Sequence, residues 1–320
     1  MKKLLAITAL IAALCLPMGA RAAEYKRQIT VAQDGSGDFT TLTEALEAIR
    51  AFMDYTVTVN IRNGVYREKV IIPAWLENVE FIGENPDSTI ITWSDHANIN
   101  KMGTFRTYTM RVDGTDLIFR NLTIENNAEQ RGQAVALHTE GDRLTFDNCR
   151  FLGNQDTIYT GRKGGRLYFN NCYIEGTTDY IFGPSTALFE NCEIHSKRDS
   201  FITAASTPVD VPVGYVFYKC RLTAEPGVTK MYLGRPWRPY AMTAFIDCEM
   251  GDFITPAGWE NWRDPANEKT ARYSESGNTG PGADTSGRVN WSRQLSPAEA
   301  RALVDPAYIF TTSNSWNPRP

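Results

Sequence analysis

The 320 residues carry a net charge of -4 with 22% charged side chains and no Lys/Arg cluster, which excludes a basic nucleic-acid-binding face. No apolar run approaches the roughly 20 residues that a membrane-crossing helix requires. No Pro/Ser-rich linker or low-complexity tract divides the chain either, so a single elongated domain is expected over residues 24–320.

Residues 1–23 read as a removable secretory leader. Lys2 and Lys3 precede an apolar run from Leu4 to Leu16, and Pro17 and the small-residue stretch Ala20-Arg21-Ala22-Ala23 come after it. Leu14 stands directly before Cys15, a poor fit to lipid attachment. A secreted or periplasmic protein is therefore expected, with no membrane association once the leader is gone.

After the turn-rich Asp34-Gly-Ser-Gly-Asp38, the amphipathic segment from Thr41 to Phe52 predicts an N-terminal helix closing the open end of a stacked array. The array itself is a repeat in the middle of the chain. Leu144-Thr-Phe-Asp-Asn-Cys149-Arg-Phe, Leu167-Tyr-Phe-Asn-Asn-Cys172-Tyr-Ile, Ala187-Leu-Phe-Glu-Asn-Cys192-Glu-Ile, Val216-Phe-Tyr-Lys-Cys220-Arg-Leu and Ala244-Phe-Ile-Asp-Cys248-Glu-Met recur at intervals of 23, 20, 28 and 28 residues. Leu117-Ile-Phe-Arg-Asn-Leu122-Thr-Ile124 fits with Leu122 at the Cys position, and Val79-Glu-Phe-Ile-Gly83 is a candidate further member.

Period-two alternation of Phe, Tyr, Ile and Leu, broken by Gly, Asn and Asp, makes these units strands and excludes helical solenoids. A propeller blade needs about 40 to 50 residues. The shorter period selects an all-β fold, the parallel β-helix, in which equivalent residues stack about 4.8 Å apart. The five repeat cysteines then form an internal ladder whose parallel Cβ vectors disfavour disulfides. They are read as buried small hydrophobes. Ser296-Pro-Ala-Glu-Ala-Arg-Ala-Leu303 predicts a C-terminal helix with a Ser cap and Pro in its first turn.

Three histidines (His96, His138, His195), with no Gly-x-Ser-x-Gly elbow, leave little room for a Ser-His-Asp device. Cys-x-x-Cys, His-x-x-x-His and His-Glu-x-x-His are all absent, so neither a metal nor another cofactor is expected. Chemistry must fall to carboxylates, amides and arginine. Asp156 lies seven residues after Cys149, and Asp179 lies seven after Cys172. On a stacked coil that equal offset puts them on one face, one rung apart. Gln133 is a candidate for the preceding rung.

Two neighbouring carboxylates repel, so one tends to hold a proton while the other ionises. The side-chain amides of Gln133 and Gln155 are uncharged donors for an oxyanion, each typically worth about 2.7 to 4 kcal/mol in a transition state. The column suggests acyl transfer, against the reading of turn-forming Asp and an Asn/Gln ladder that satisfies only backbone. In Leu233-Gly-Arg-Pro-Trp237, Arg235 could hold a carboxylate by a bidentate pair, and Trp237 offers an apolar plate for a sugar ring, or the segment is a structural corner. Tyr159 and Phe182 are either cleft walls or core plugs.

Gly64-Val-Tyr-Arg-Glu68, Gln133-Ala-Val-Ala-Leu137, Gln155-Asp-Thr-Ile-Tyr159, Asp179-Tyr-Ile-Phe-Gly183 and Leu233-Gly-Arg-Pro-Trp237 together resemble the five signature blocks of the pectinesterase family, in order. Asn278-Thr-Gly-Pro-Gly-Ala283 and Arg288-Val-Asn-Trp291 extend the likeness, which runs from about Val31 to about Tyr308. The resemblance, taken as one to secreted bacterial members, implies a right-handed parallel β-helix that de-esterifies methylated homogalacturonan as a monomer. It further implies Asp179 as nucleophile, Asp156 as acid and base, Gln133 and Gln155 at the oxyanion, and Arg235 holding Asp179. Thr104, Tyr159, Phe182 and Trp237 would bind substrate, with the spacing of Thr104 to Gln133 less close to the family's. Ile158 departs from a commoner Leu, a volume-conserving change. The inhibitory domain of many plant members is not expected.

Three other readings compete. A β-helix lyase or polygalacturonase would cleave the chain, a drifted esterase would take acyl thioesters or another uronate ester, and an adhesin would have no reason to keep the Gln/Asp column.

Overall fold

The computed structural model describes residues 25–311 and 315–319; the expected leader lies outside them. Among the described residues, three parallel sheets of eleven, eight and seven strands wrap one core, and the chain visits them in turn. The result is a right-handed parallel β-helix. The repeat reading maps onto it in register: Leu117, Leu144 and Leu167 pair along the eleven-stranded sheet, and Ile124, Phe151 and Ile174 along the eight-stranded one. Val79–Gly83 belongs to the same column, with Phe81 opposite Phe119.

The repeated Phe is the spine of the interior. Phe81, Phe119, Phe146, Phe169, Phe189, Phe217 and Phe245 stack face to face with centroids 4.4–5.0 Å apart. This is the strand spacing imposed on identical side chains. The residue before each corner Cys, and before Leu122 at the equivalent position, turns the chain from one sheet to the next. Asn121, Asn148, Asn171, Asn191, Lys219 and Asp247 all have φ between 51° and 55°. Asn and Asp tolerate that left-handed region better than other non-glycine residues, which is why the unit so often reads Asn-Cys. Asn148 and Asn171 also donate along the column, to Asn121 and Asn148. All five repeat cysteines are buried and free, each thiol donating to a backbone carbonyl.

Two rungs lack the Phe-x-x-Cys signature and were not legible as repeats: Gln28–Val31 and Val57–Ile61, which pair in parallel and continue the eleven-stranded sheet. The N-terminal helix is shorter than its amphipathic pattern. It spans Leu42–Glu47, with Thr41 and Glu44 forming a capping box, and buries Leu42, Ala45 and Leu46 in the core. Ala48 and Ile49 already bond three residues back, and the Phe52 N–H bonds to Trp75 O, so tertiary pairing ends the helix and leaves Phe52 72% exposed.

Pro297–Leu303 is helical with the expected Ser296 cap and a capping box to Glu299. A further short helix, Pro306–Ile309, comes after it. Both lie on the outer face of the eleven-stranded sheet, where Ala300, Ile309 and Phe310 cover Leu188, Val216 and Ala244. Arg319 clamps the tail there by two bonds to Glu190, 2.8 and 3.0 Å long. None of the helices among the described residues is long and apolar enough to cross a membrane.

Candidate active site

The seven-stranded sheet has short strands, and the turns leading into it carry the polar column. Asp156 sits two residues before the strand Ile158–Thr160 and Asp179 two before Ile181–Gly183; Ile158 pairs with Ile181. The aspartates are thus on adjacent rungs of one face, as their equal offsets required. The Asp156 N–H donates to Thr178 O (3.1 Å), and the Asp179 N–H to Phe201 O (2.8 Å). Both residues are left-handed, with φ of 68° and 50°. Such φ values on non-glycine residues carry strain that a structure keeps where it aims a side chain.

Each aspartate is largely buried, 8% and 6% exposed. Only Asp179 is held by a cation: Arg235 Nε and Nη2 donate to its two carboxylate oxygens at 2.9 and 2.6 Å. Arg235 itself is sandwiched, its guanidinium 3.9 Å from the Phe201 ring centroid and 4.0 Å from that of Trp262. Burial and the charge of Asp179 push the Asp156 carboxyl well above the usual carboxylate range, against the weaker pull of Arg235. Burial raises Asp179 too, but its bonds to Arg235 work against that rise. Two identical side chains therefore differ in their readiness to ionise, with Asp179 the more easily charged.

Gln133, Gln155, Asp156, Asp179, Arg235 and Trp237 line one cavity of about 440 Å³ together with Thr104, Phe105, Phe182, Ala204 and Trp262. Gln133 lies in the rung before Gln155, since the Ala134 N–H bonds to Gln155 O. Thr104 reaches the cavity from a one-turn 3-10 helix, Thr104–Arg106. Phe182 forms wall rather than core plug, packing with Val135 and Ala204 outside the coil interior. Tyr159 pairs with Phe182 in register and extends the same aromatic face, its ring 4.8 Å from Phe182 and 4.9 Å from Phe105. Trp237 belongs to the same aromatic cluster, 5.8 Å from Phe182 and 6.5 Å from Tyr159.

Two carboxylates with unequal charge preference, two primary amides in the same cavity and an aromatic wall are a set able to attack and protonate an ester. The comparisons with known proteins give the family. The pectinesterase family model matches residues 28–312. This chain belongs to the pectinesterase family. Its reaction is the hydrolysis of methyl esters of pectin to pectate and methanol.

Pectinesterase 31 of Arabidopsis thaliana is 39% identical over 294 residues, covering 88% of this chain and 92% of that protein. Of two longer Arabidopsis relatives named as probable pectinesterase/pectinesterase inhibitors, this chain spans 54% and 47%. Among solved structures, pectin methylesterase from carrot superposes with a TM-score of 0.84 at 34% identity, covering 88% of this chain and 92% of that one. A pectin methylesterase in complex with a hexasaccharide superposes with a TM-score of 0.77 at 26% identity, covering 91% and 98%. These curated relatives are plant proteins, so the expectation of a specifically bacterial type finds no support in them.

Phe105, Phe201 and Trp262 were not singled out from sequence. Phe105 stands beside Thr104, and that adjacency could have flagged it. Trp262 comes after the last Cys rung in an irregular loop, where no periodicity points to the cavity.

Proposed function

We propose that pectinesterase turnover in this chain runs through an acyl-enzyme on Asp179. An ionised Asp179 oxygen attacks the ester carbonyl carbon, and the Gln133 and Gln155 amides donate to the oxyanion that forms. Collapse expels the methoxy group, which takes the proton of Asp156 and leaves as methanol. Asp156, now ionised, takes a proton from water as the hydroxyl adds to the acyl-aspartate. Cleavage then releases the uronic acid, which gives its remaining proton to solvent, and restores Asp179 as an anion with Asp156 again an acid.

The observation that carries this reading is the asymmetry of the pair: a bidentate guanidinium on Asp179 and none on Asp156. Thr104, Tyr159, Phe182 and Trp237 serve the sugar rings of methylated homogalacturonan, a reading the hexasaccharide complex of a related esterase supports. The same proposal takes residues 1–23 as a cleaved leader, residues 24–320 as one domain working as a monomer, and export, in the manner of a secreted bacterial enzyme, to the periplasm or medium.

Asp179→Asn and Asp156→Asn are the appropriate variants, because Asn tolerates the left-handed backbone that Ala would strain. Each is expected to lower methanol release from highly methylated pectin by more than about a thousandfold. Wild-type turnover in either variant would overturn the assignment. Unsaturated, ultraviolet-absorbing product from the wild-type protein would instead support a lyase.

A further inference from the structure

Arg235 aims the proposed nucleophile, and something must aim Arg235. Its guanidinium is held between two rings, Phe201 and Trp262. Phe201 lies in a strand and stacks on Tyr232 of the next rung, 5.2 Å away. Trp262 has no strand to hold it. It sits in the loop after the bridge between Gly234 and Trp259, with φ of 61°, and Arg263 beside it has φ of 57°. Consecutive left-handed residues with bulky side chains do not persist without specific support. Glu260 supplies it: its Oε2 accepts the Trp262 N–H at 2.8 Å and its Oε1 the Arg263 N–H at 3.1 Å. Glu260 is in turn tied to the Arg235 segment, its own N–H donating to Gly234 O at 3.1 Å.

We infer that Glu260 is a positioning residue for ester hydrolysis: by fixing the Trp262–Arg263 turn it holds the Trp262 ring over Arg235, and so keeps the guanidinium aimed at Asp179. Glu260 is not among the residues that line the cavity with Asp156 and the Gln pair, and its structural route to the site is this clamp. A guanidinium held by rings on both faces keeps its in-plane N–H fork free for the carboxylate, which an ammonium or a tilted arginine would not. The carboxylate also pushes Asp179 upward against the pull of Arg235.

The inference rests on Asp179 being the nucleophile, and a double-mutant cycle between Glu260 and Arg235 separates the two claims. Glu260→Ala is expected to lower kcat on methylated pectin by about tenfold, with KM changed by less than about threefold. Glu260→Gln keeps one acceptor oxygen for the Trp262 N–H and gives up the bond to the Arg263 N–H, so it should recover part of that loss. In an Arg235→Lys background Glu260→Ala should cost less than about twofold.

An undiminished loss in that background, or a Glu260→Gln variant as impaired as Glu260→Ala, would overturn the inference while leaving Asp179 in its role. Turnover persisting in Asp179→Asn would instead remove the mechanism beneath it. Should Glu260→Ala fail to fold, the same cycle on kcat with Trp262→Leu tests the clamp: coupling to Arg235→Lys supports it, and additivity overturns it.

Discussion

Asp156 is kept where ionisation is costly, and the cost falls on the fold. Its folded-state pKa is raised above the unfolded value of about 3.9. The folded protein therefore binds more protons than the unfolded chain between those two values, and stability falls as pH rises through that window. Asp156→Asn removes the ionisation while keeping a residue suited to φ 68°. The variant is expected to melt at a higher temperature than wild type at pH 8, with the gain shrinking toward pH 4, as followed by thermal unfolding at both pH values. An equal gain at both would mean that burial of the charge is not its cause. Asp179 should show less of this effect, because Arg235 offsets its desolvation. Stability given up at one residue for the sake of turnover is a familiar trade in active sites.

Among the elements, the stacked Phe column connects the repeat to the site. Phe169 is fully buried, 4.8 Å from Phe146 and 4.6 Å from Phe189, in the strand between the rungs that present Asp156 and Asp179. Phe169→Ala leaves a cavity that neighbouring rungs cannot close without losing register, at an expected cost of about 3 to 5 kcal/mol. Denaturant unfolding measures it, and a loss below about 1 kcal/mol would mean the column repacks. The shared face of Asp156 and Asp179 was readable from their equal offsets after Cys149 and Cys172. The end of the N-terminal helix at Glu47 was not readable, because the Phe52–Trp75 backbone bond that draws the chain away is non-local.

Across the whole molecule, an open-ended coil needs its last rungs closed. Beyond the last Cys rung, Glu275 and Arg288 form a pair with side chains 1% and 4% exposed, Arg288 Nε donating to Glu275 Oε1 at 2.8 Å. Trp259 Nε1 donates to the same oxygen, and Arg288 also bonds Pro256 O and Gly282 O. Glu275→Ala would strand a buried cation at an expected cost of about 3 to 5 kcal/mol. Unfolding by urea checks it, and a change under about 1 kcal/mol would show that the carbonyls alone satisfy Arg288.

By itself the sequence determined what repetition encodes: strand type, parallel stacking, the buried Cys ladder and the Asp156–Asp179 register. Each unit must bury the same face against its neighbours, so equal offsets become equal positions. Only the tertiary structure decided what lies outside the period. The unmarked first rungs, the tail laid across the outer sheet, and the clamp of Phe201, Trp262 and Glu260 on Arg235 come from loops and ends. There, contacts between residues far apart in the chain, rather than a local pattern, set the conformation.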